Sequence, residues 1–239
     1  MTHYGIIGKP LEHSFSAMYF TQKFEREHID ADYCLYALDD LGDIARLMQY
    51  LYGFNVTYPY KEQILPYLHG IDAVAQRIGA VNVVCQGRGY NTDWLGFMQS
   101  IQPYLLPSDQ QVLLLGTGGV SKAVQYALQE MQLRYTCVSR HPGEHQLAYH
   151  QLTCEVMELH TVIVNCTPLG MLPEVDTCPP IPYEYITPSH LLYDCVYNPE
   201  RTLFLQNGQR QGARILNGKQ MLYLQADAAY EIWNKIKND

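Results

Sequence analysis

The stretch Gln111-Val112-Leu113-Leu114-Leu115-Gly116-Thr117-Gly118-Gly119-Val120-Ser121 decides the fold class of this chain. Its apolar half predicts a buried strand that runs directly into a cluster of glycines. A helix is predicted over 119–131 and a second strand over 135–138. Glycines let a phosphate approach the backbone closely, and a helix amino terminus offers unpaired N–H groups and partial positive charge. The stretch therefore favours a dinucleotide-binding turn. A plain turn is the alternative, because Ser121 stands where the third glycine of the usual pattern would be.

The pattern around this stretch predicts an α/β protein of two domains. Further strands are predicted over 161–165, 191–194 and 212–216, and helices over 94–105, 201–210 and 221–237. This alternation is typical of a doubly wound parallel sheet. The preceding part of the chain predicts a smaller α/β unit, with strands over 4–8, 54–57 and 80–84 and helices over 17–27 and 62–68. We expect a first domain over 1–93, joined by the C-terminal helix 219–239, and a Rossmann-type domain over 94–218.

Composition excludes several classes of protein. An apolar fraction of 47% and a charged fraction of 17% over 239 residues predict a buried core and exclude wholesale disorder. The formal net charge of −8 argues against a general nucleic-acid binder. No apolar stretch approaches the length of a membrane span, and the amino terminus lacks a signal-peptide layout. Seven cysteines without a Cys-x-x-Cys pair are typical of a reducing compartment, so a cytoplasmic protein is expected.

Polar clusters follow the predicted strands of the first domain. They are His13–Ser16, Asn55–Lys61, and Asn91–Asp93 with Asn82 on the strand before it. Reduction of a carbonyl by hydride leaves an alkoxide, which needs a proton donor or cation beside it. A lysine oriented by an aspartate supplies both. Each cluster also has a structural interpretation: Ser16 as an N-cap, Lys61 as a surface lysine and Asp93 as a helix cap.

The end of the second Rossmann strand bears on the choice of cofactor. The strand ends in Val138-Ser139-Arg140-His141, without the carboxylate that holds the ribose hydroxyls of NAD. Arg140 and Ser139 suit a 2′-phosphate, which favours NADP. A solvated loop arginine is the alternative, and the nearby Glu144 would weaken a phosphate pocket.

The ordered set of motifs resembles the shikimate dehydrogenase family. The motifs run in order from Gly8 to Ala226: Gly8-Lys9-Pro10…His13-Ser14-Phe15-Ser16, Asn55-Val56-Thr57-Tyr58-Pro59-Tyr60-Lys61, Gly79-Ala80-Val81-Asn82, Asn91-Thr92-Asp93-Trp94-Leu95-Gly96, Gly116-Thr117-Gly118-Gly119, Asn165-Cys166-Thr167-Pro168-Leu169-Gly170-Met171, Tyr193-Asp194…Tyr197-Asn198-Pro199…Thr202, and Gly218…Met221-Leu222…Gln225-Ala226. A single motif occurs by chance, whereas eight in this order over nearly the whole chain are typical of a relative.

The resemblance implies reversible, NADPH-dependent reduction of 3-dehydroshikimate to shikimate in aromatic amino acid biosynthesis, with no metal. It implies Lys61 and Asp93 as the catalytic pair. The implied substrate contacts are Ser14, Ser16, Thr57, Asn82, Tyr197 and Gln225. The implied cofactor contacts are Gly116, Thr117, Gly118, Gly119, Val120, Ser121, Ser139, Arg140, Thr167, Val196, Gly218 and Met221. We expect only small-molecule partners, no nucleic acid or membrane, and a monomer or homodimer.

Departures from the family pattern occur at two places. Ala17 replaces a proline after the second serine, which concerns helix entry more than chemistry, so we expect no loss of activity. Glu144 stands near the place of a second arginine at the cofactor, which leaves the strength of the NADP preference open. A quinate/shikimate dehydrogenase that uses NAD is therefore an alternative. A noncatalytic dinucleotide-binding module is a second alternative, which the presence of Lys61, Asp93 and Gln225 disfavours. A folate-linked dehydrogenase is a third, which the hydroxyl-rich cluster disfavours.

Overall fold

The computed structural model describes residues 1–9, 11 and 14–238, which divide into two compact units. The first unit comprises Met1–Thr92 and the chain from Ala226 onward, and the second comprises Asp93–Gln225. Among the described residues, no helix combines the length and apolar character needed to cross a membrane. Pro10 and His13, which belong to the first motif, lie outside the described residues.

The first unit is built on a mixed six-stranded sheet. Its strands are β1 (Thr2–Gly8), β2 (Ala31–Ala37), β3 (Gly53–Val56), β4 (Gly70–Ile71), β5 (Val83–Cys85) and β6 (Arg88–Tyr90). They lie in the order β2-β1-β3-β5-β6-β4. Strand β1 is parallel to β2 and β3, whereas β5 is antiparallel to both β3 and β6. The carboxyl ends of β1 and β3 therefore meet at one edge of the sheet.

Helices cover both faces of this sheet. They are α1 (Phe15–Arg26), α2 (Ile44–Tyr50), α3 (Tyr60–Gln63), α4 (Ala73–Ile78) and the end of α9 (Lys219–Asn238). Phe20, Phe24 and the fully buried Trp233 form the core on the side of α1 and α9. The Trp233 Nε1–H donates to the carbonyl of Val84 at 3.0 Å, and its ring lies against Gly53, where no side chain would fit. The last helix is thus anchored in the middle of the first sheet.

The second unit contains a parallel sheet of Rossmann order. Its strands are β7 (Gln111–Leu115), β8 (Arg134–Ser139), β9 (Leu147–Ala148), β10 (Val162–Asn165), β11 (Leu191–Asp194) and β12 (Arg214–Asn217). They lie in the order β12-β11-β10-β7-β8-β9, and all the pairings are parallel. The strand order reverses between β7 and β10. A ligand of such a sheet binds at the carboxyl ends of the strands on either side of this reversal.

Two apolar layers enclose the second sheet. Its other helices are α5 (Asp93–Ile101), α6 (Gly119–Glu130), α7 (Cys154–Leu159) and α8 (Leu203–Arg210). Alternate residues of β7 serve the two layers: Val112 and Leu114 pack with α5 and α6, whereas Leu113 and Leu115 pack with α7 and α8. A strand buried on both faces reads as a continuous apolar run, which is why β7 could be predicted from sequence.

The predicted α/β class, the parallel second sheet and the return of the last helix to the first unit are confirmed. Seven helices and strands were missed: β2, α2, β4, α4, β6, β9 and α7. The predicted helices 62–68 and 94–105 are too long, because α3 and α5 end before Pro66 and Pro103, where 3₁₀ turns follow. Residues 219–225, predicted with the first domain, pack in the second unit. A Cβ on Gly96 of α5 would lie 2.7 Å from the carbonyl oxygen of Met221.

Candidate active site

The glycine turn after β7 forms an open cradle at the carboxyl end of the sheet. Gly116 has a φ of +102° and donates its N–H to the carbonyl of Val138 at 2.9 Å. Gly118 is the N-cap of α6, and a Cβ placed on it would meet no atom within 4 Å. Thr117 and Gly118 are exposed, and Gly119 is half-buried. The first N–H groups of α6 have no intrahelical partners, so this turn fits a pyrophosphate.

Two residues of the predicted cradle turn their side chains inward. Ser121 is fully buried, and its Oγ–H donates to the carbonyl of Gly116 at 2.7 Å. Val120 packs against the apolar core on the α5 and α6 side. Their side chains therefore shape the turn, and only their backbone groups remain for a phosphate. The serine at the third glycine position thus adds a hydrogen bond that holds the turn.

The loop after β8 presents a cation to solvent. Arg140 is exposed directly after the strand, and the Ser139 hydroxyl accepts the N–H of His141 at 3.2 Å. Glu144 Oε1 lies 3.5 Å from Nε2 of His145, and both side chains are about nine-tenths exposed. The hydroxyl of Ser139 orders the turn, which leaves the guanidinium of Arg140 as the main group for a 2′-phosphate.

A buried hydrogen-bond network joins the loops after β10 and β11. The Asp194 carboxylate, fully buried, accepts from Thr202 Oγ1 at 2.5 Å, Asn165 Nδ2 at 2.9 Å and the Val196 N–H at 3.0 Å. Asn165 Oδ1 in turn accepts from the hydroxyl and N–H of Thr167, at 2.6 and 3.0 Å. Burial raises the pKa of Asp194 to about 7, against the lowering effect of these donors. Thr167 and Val196, two predicted cofactor contacts, are therefore fixed by one carboxylate.

This network was missed as part of the site. Asn165, Asp194 and Thr202 belong to the family motifs but had no predicted role, whereas Thr167 and Val196 were predicted as cofactor contacts. The available signal was an acidic residue, Asp194, at the end of the apolar strand Leu191–Asp194, in line with Asn165 at the end of β10. Register pairs these two residues directly.

The remaining predicted groups of the second unit lie around the start of α9, namely Gly218, Met221 and Gln225, and after β11, namely Tyr197. Gly218 lies against the carbonyl of Cys195, where no side chain would fit, and donates its N–H to the carbonyl of Val196 at 3.2 Å. The Met221 side chain is buried in the core, so only its backbone can line a ligand site. Gln225 is 9% exposed and donates from Nε2 to the carbonyl of Leu222 at 3.0 Å. Tyr197 is half-buried.

In the first unit, backbone bonds bring Thr57, Lys61 and Asn82 to the same edge. The Val56 N–H donates to the carbonyl of Asn82 at 2.9 Å, and the Val81 N–H donates to the carbonyl of Lys61 at 2.8 Å. Thr57 and Lys61 are half-buried, whereas Asn82 is buried. Asn82 Oδ1 accepts the Thr92 N–H at 2.7 Å, and its Nδ2 donates to Thr92 Oγ1 at 3.0 Å.

Buried polar side chains lead from Ser16 to the same edge. The Ser16 side chain lies close enough to that of Tyr33 to affect its pKa. The Tyr33 hydroxyl donates to Asn55 Oδ1 at 2.7 Å, and Asn55 Nδ2 donates to the carbonyl of Asn82 at 3.3 Å. Ser14, rather than Ser16, is the N-cap of α1, and within the described residues its hydroxyl makes no capping bond. The structural interpretation of Ser16 as an N-cap was therefore wrong. Asp93 is 5% exposed and begins α5.

These features are those of a dinucleotide-dependent α/β oxidoreductase. The second unit has an open glycine turn at the reversal point of a Rossmann sheet, and the sheet edge of the first unit is rich in hydroxyl, amide and ammonium groups. In the described residues, no group of three or more histidine, cysteine or acidic side chains could hold a metal ion. A family model described as the shikimate dehydrogenase substrate binding domain matches residues 6–84. The chain belongs to the shikimate dehydrogenase family, as its relatives show.

The relatives match along nearly the whole chain. The shikimate dehydrogenase (NADP(+)) of Clostridium botulinum (strain Hall) is 35% identical, over 96% of this chain and 95% of that protein. The solved structure of shikimate dehydrogenase from Aquifex aeolicus has a TM-score of 0.87 at 30% identity, covering 98% and 93% of the two chains. Shikimate 5-dehydrogenase from Thermus thermophilus, in complex with NADP(H) and shikimate, has a TM-score of 0.87 at 29% identity, with the same coverage. The family expected from the motifs is confirmed.

Proposed function

We propose that this chain catalyses the reversible, NADPH-dependent reduction of 3-dehydroshikimate to shikimate. The observation that carries the proposal is the position of the Val81-Asn82 segment. The Val81 N–H donates to the carbonyl of Lys61. Asn82 Oδ1 accepts the N–H of Thr92, the residue before Asp93. One short segment thereby fixes the backbone at Lys61 and the backbone next to Asp93. Such tethering is what a proton-transfer pair needs in order to act at one atom.

Each group of the chain has a role in this reaction. When bound, NADPH supplies the hydride that reduces the ketone. The Lys61 ammonium stabilises the oxygen as negative charge develops on it, and Asp93 orients the ammonium and balances its charge. A proton passes from this pair to the oxygen, so that ketone, hydride and proton give the alcohol. Ser14 and Ser16, with Tyr197, hold the substrate carboxylate, while Thr57, Asn82 and Gln225 contact the ring hydroxyls.

The proposed cofactor site uses the carboxyl edge of the second unit. Gly116, Thr117, Gly118, Gly119 and the backbone of Val120 and Ser121 take the pyrophosphate. Arg140, with the turn that Ser139 orders, takes the adenosine 2′-phosphate. Thr167, Val196, Gly218 and the backbone of Met221 line the remaining part of the site. The open space at Gly118 and the exposed guanidinium of Arg140 support this assignment.

The division of labour between the units is part of the proposal. The first unit carries Ser14, Ser16, Thr57, Lys61 and Asn82 of the proposed substrate contacts, and the second unit binds NADP. The acidic net charge argues against nucleic-acid binding, and the absence of a long apolar stretch argues against membrane binding. The seven cysteines without a Cys-x-x-Cys pair favour a cytoplasmic protein that acts on small molecules. A monomer or homodimer is the proposed functional state, which light scattering of the purified chain tests.

The experiment that tests the function is a grid of shikimate or quinate against NADP⁺ or NAD⁺, followed by absorbance of the reduced nicotinamide. Turnover with shikimate and NADP⁺ alone is the expected result. Turnover with quinate or NAD⁺ would identify the dual-substrate branch of the family instead. Absence of turnover in all four combinations, from protein that still binds NADPH, would overturn the proposal in favour of a noncatalytic module.

A further inference from the structure

Two cysteine side chains meet at the carboxyl ends of neighbouring strands in the second unit. The Sγ atoms of Cys166 and Cys195 are 3.6 Å apart, directly after β10 and β11. Register pairs Asn165 with Asp194, and the Cys195 N–H donates to the carbonyl of Asn165 at 2.9 Å. The pairing of the two strands therefore continues up to the thiols, and the backbone holds them side by side.

This arrangement suits a disulfide bond. Neighbouring strands lie about 4.8 Å apart, and a disulfide joins Cα atoms roughly 4.4–6.8 Å apart. To reach a bond length of about 2.05 Å, the two sulfurs need to approach by roughly 1.5 Å, which rotation about the Cα–Cβ bonds supplies. We propose that Cys166 and Cys195 are a modification site that oxidises to an intramolecular disulfide, and that this bond weakens the binding of NADPH. The second half of this proposal rests on the cofactor site proposed above.

The chemistry of the two thiols sets the order of the steps. Both residues are half-buried, and the first step requires a small oxidant such as a hydroperoxide to reach only one of the two thiols. Burial raises the pKa of the Cys166 thiol well above its usual range, so Cys166 does not supply the first thiolate. The Cys195 thiolate therefore attacks hydrogen peroxide, which releases hydroxide and leaves a sulfenic acid. The Cys166 thiol then displaces water from that sulfenic acid, and the overall change is two thiols and one peroxide to one disulfide and two waters.

The bond would act on the proposed cofactor site through the backbone. Cys166 precedes Thr167, and a Cβ on Gly116 would lie 3.4 Å from the Cys166 carbonyl. Cys195 precedes Val196, and its own carbonyl packs against Gly218. Four predicted cofactor contacts thus touch or adjoin the two cysteines. Displacements of about 1 Å near a reacting group can lower rates up to roughly 100-fold.

The first measurement is chemical and does not depend on the function. The full chain is treated with hydrogen peroxide at mildly alkaline pH, the remaining thiols are alkylated, and unreduced peptides are analysed by mass spectrometry. A peptide pair joined through Cys166 and Cys195 is expected. Cys34 is exposed, and it serves as an oxidation-prone comparison. Full alkylation of Cys166 and Cys195 after oxidation of Cys34 would overturn the proposal, as would a disulfide that joins other cysteines.

The second measurement links the bond to the cofactor. NADPH binding, followed by its fluorescence, and shikimate turnover are compared before oxidation, after oxidation and after dithiothreitol. We expect roughly tenfold weaker NADPH binding in the oxidised protein, with full recovery on reduction. Cys195→Ala and Cys166→Ala should each resist the loss, whereas Cys34→Ala should not. Unchanged NADPH binding in protein that carries the disulfide would overturn the proposed effect on the cofactor. Reduced protein that binds NADPH but does not oxidise shikimate would count against the function alone.

Discussion

The carboxyl edges of the two sheets are built from different atoms. In the second unit the edge offers mainly backbone: the glycines of the turn after β7, the first N–H groups of α6, and carbonyls packed against Gly218. In the first unit the edge offers side chains, namely the hydroxyls, amides and ammonium of Ser16, Thr57, Lys61 and Asn82. A site made of backbone is sensitive to added atoms, whereas a site made of side chains is sensitive to removed ones. This difference leads to four predictions, which are given in order from the largest expected effect to the smallest.

Removal of the Lys61 ammonium tests the side-chain edge most directly. Lys61→Ala should lower kcat about 10²–10⁴-fold, or roughly 3–5 kcal/mol of barrier, because the developing alkoxide loses its cation and proton source. Steady-state kinetics should show this loss, and urea unfolding should show that the fold is retained. Lys235→Ala, which removes an exposed lysine of the same unit, is the matched control. A kcat of Lys61→Ala within threefold of the wild type would refute the role.

The Asp194 network gives the second unit a pH-dependent stability. The folded pKa of about 7 lies above the usual 3.8, so the folded state holds a proton that the unfolded state releases. This proton stabilises the folded state. The stabilisation is fully present below pH 4, is lost as the pH rises to 7, and amounts to at most about 4 kcal/mol. Asp194→Asn removes this titration while keeping an acceptor for Val196 and Asn165.

Urea unfolding of both proteins between pH 4.5 and 7.5 measures this effect. The free energy of unfolding of Asp194→Asn should increase relative to that of the wild type as the pH rises, because only the wild type loses the stabilising proton. Parallel curves for the two proteins would show that the carboxyl group is not protonated in the folded state.

Arg140 tests whether the cofactor edge also contains one decisive side chain. Arg140→Ala should raise the KM for NADPH about 10–100-fold, as expected for lost charge-assisted hydrogen bonds to a phosphate, and should leave the KM for NADH nearly unchanged. Arg134→Ala, at the other end of β8, controls for the loss of a nearby positive charge. Equal increases for both cofactors would exclude a contact with the 2′-phosphate.

Gly118 tests the backbone part of the same edge by adding a single methyl group. The φ of −78° is open to alanine and the space around it is empty, so the free energy of unfolding of Gly118→Ala should change by less than about 1 kcal/mol. NADPH binding should nevertheless weaken roughly tenfold, because the added Cβ occupies the space proposed for a phosphate. Gly70→Ala in β4 is the control, since it also has room for a methyl group. Unaltered NADPH affinity would show that the pyrophosphate does not bind at this turn.

The same contrast explains how much could be predicted from the sequence. Strands β7, β10 and β11 are buried on both faces, so each reads as an apolar run that stands out in the sequence. In the first unit, β2 lies at a sheet edge with Cys34 and Leu35 exposed, and its mixed pattern gave no prediction. Helix α4 has an N-cap at Asp72 and ends at Gly79 with a φ of +72°, but its six residues are too few to show a helical period.

Candidate site residues could be predicted where the type of side chain indicates a reaction. They were missed where their role depends only on contacts formed in the fold. Lys61 and Gly116 belong to motifs whose residue types indicate a reaction. The role of Asp194 depends on Asn165, Thr202 and the Val196 N–H, which are brought to it by a neighbouring strand and by a loop. Ser121 shows the same limit, because its inward bond to Gly116 depends on the geometry of the turn. Such contacts arise only when the chain has folded.

The anchoring of Trp233 has a consequence for synthesis of the chain on the ribosome. The second unit, Asp93–Gln225, is continuous and can close its core before the last helix has fully emerged. The first unit lacks Trp233, and with it the ring that fills the space beside Gly53, until the segment after Gln225 has been translated. The unit whose chain is begun first therefore completes its core after the other one. A nascent chain that stops at Gln225 would carry a folded second unit and a first unit that still lacks its last helix.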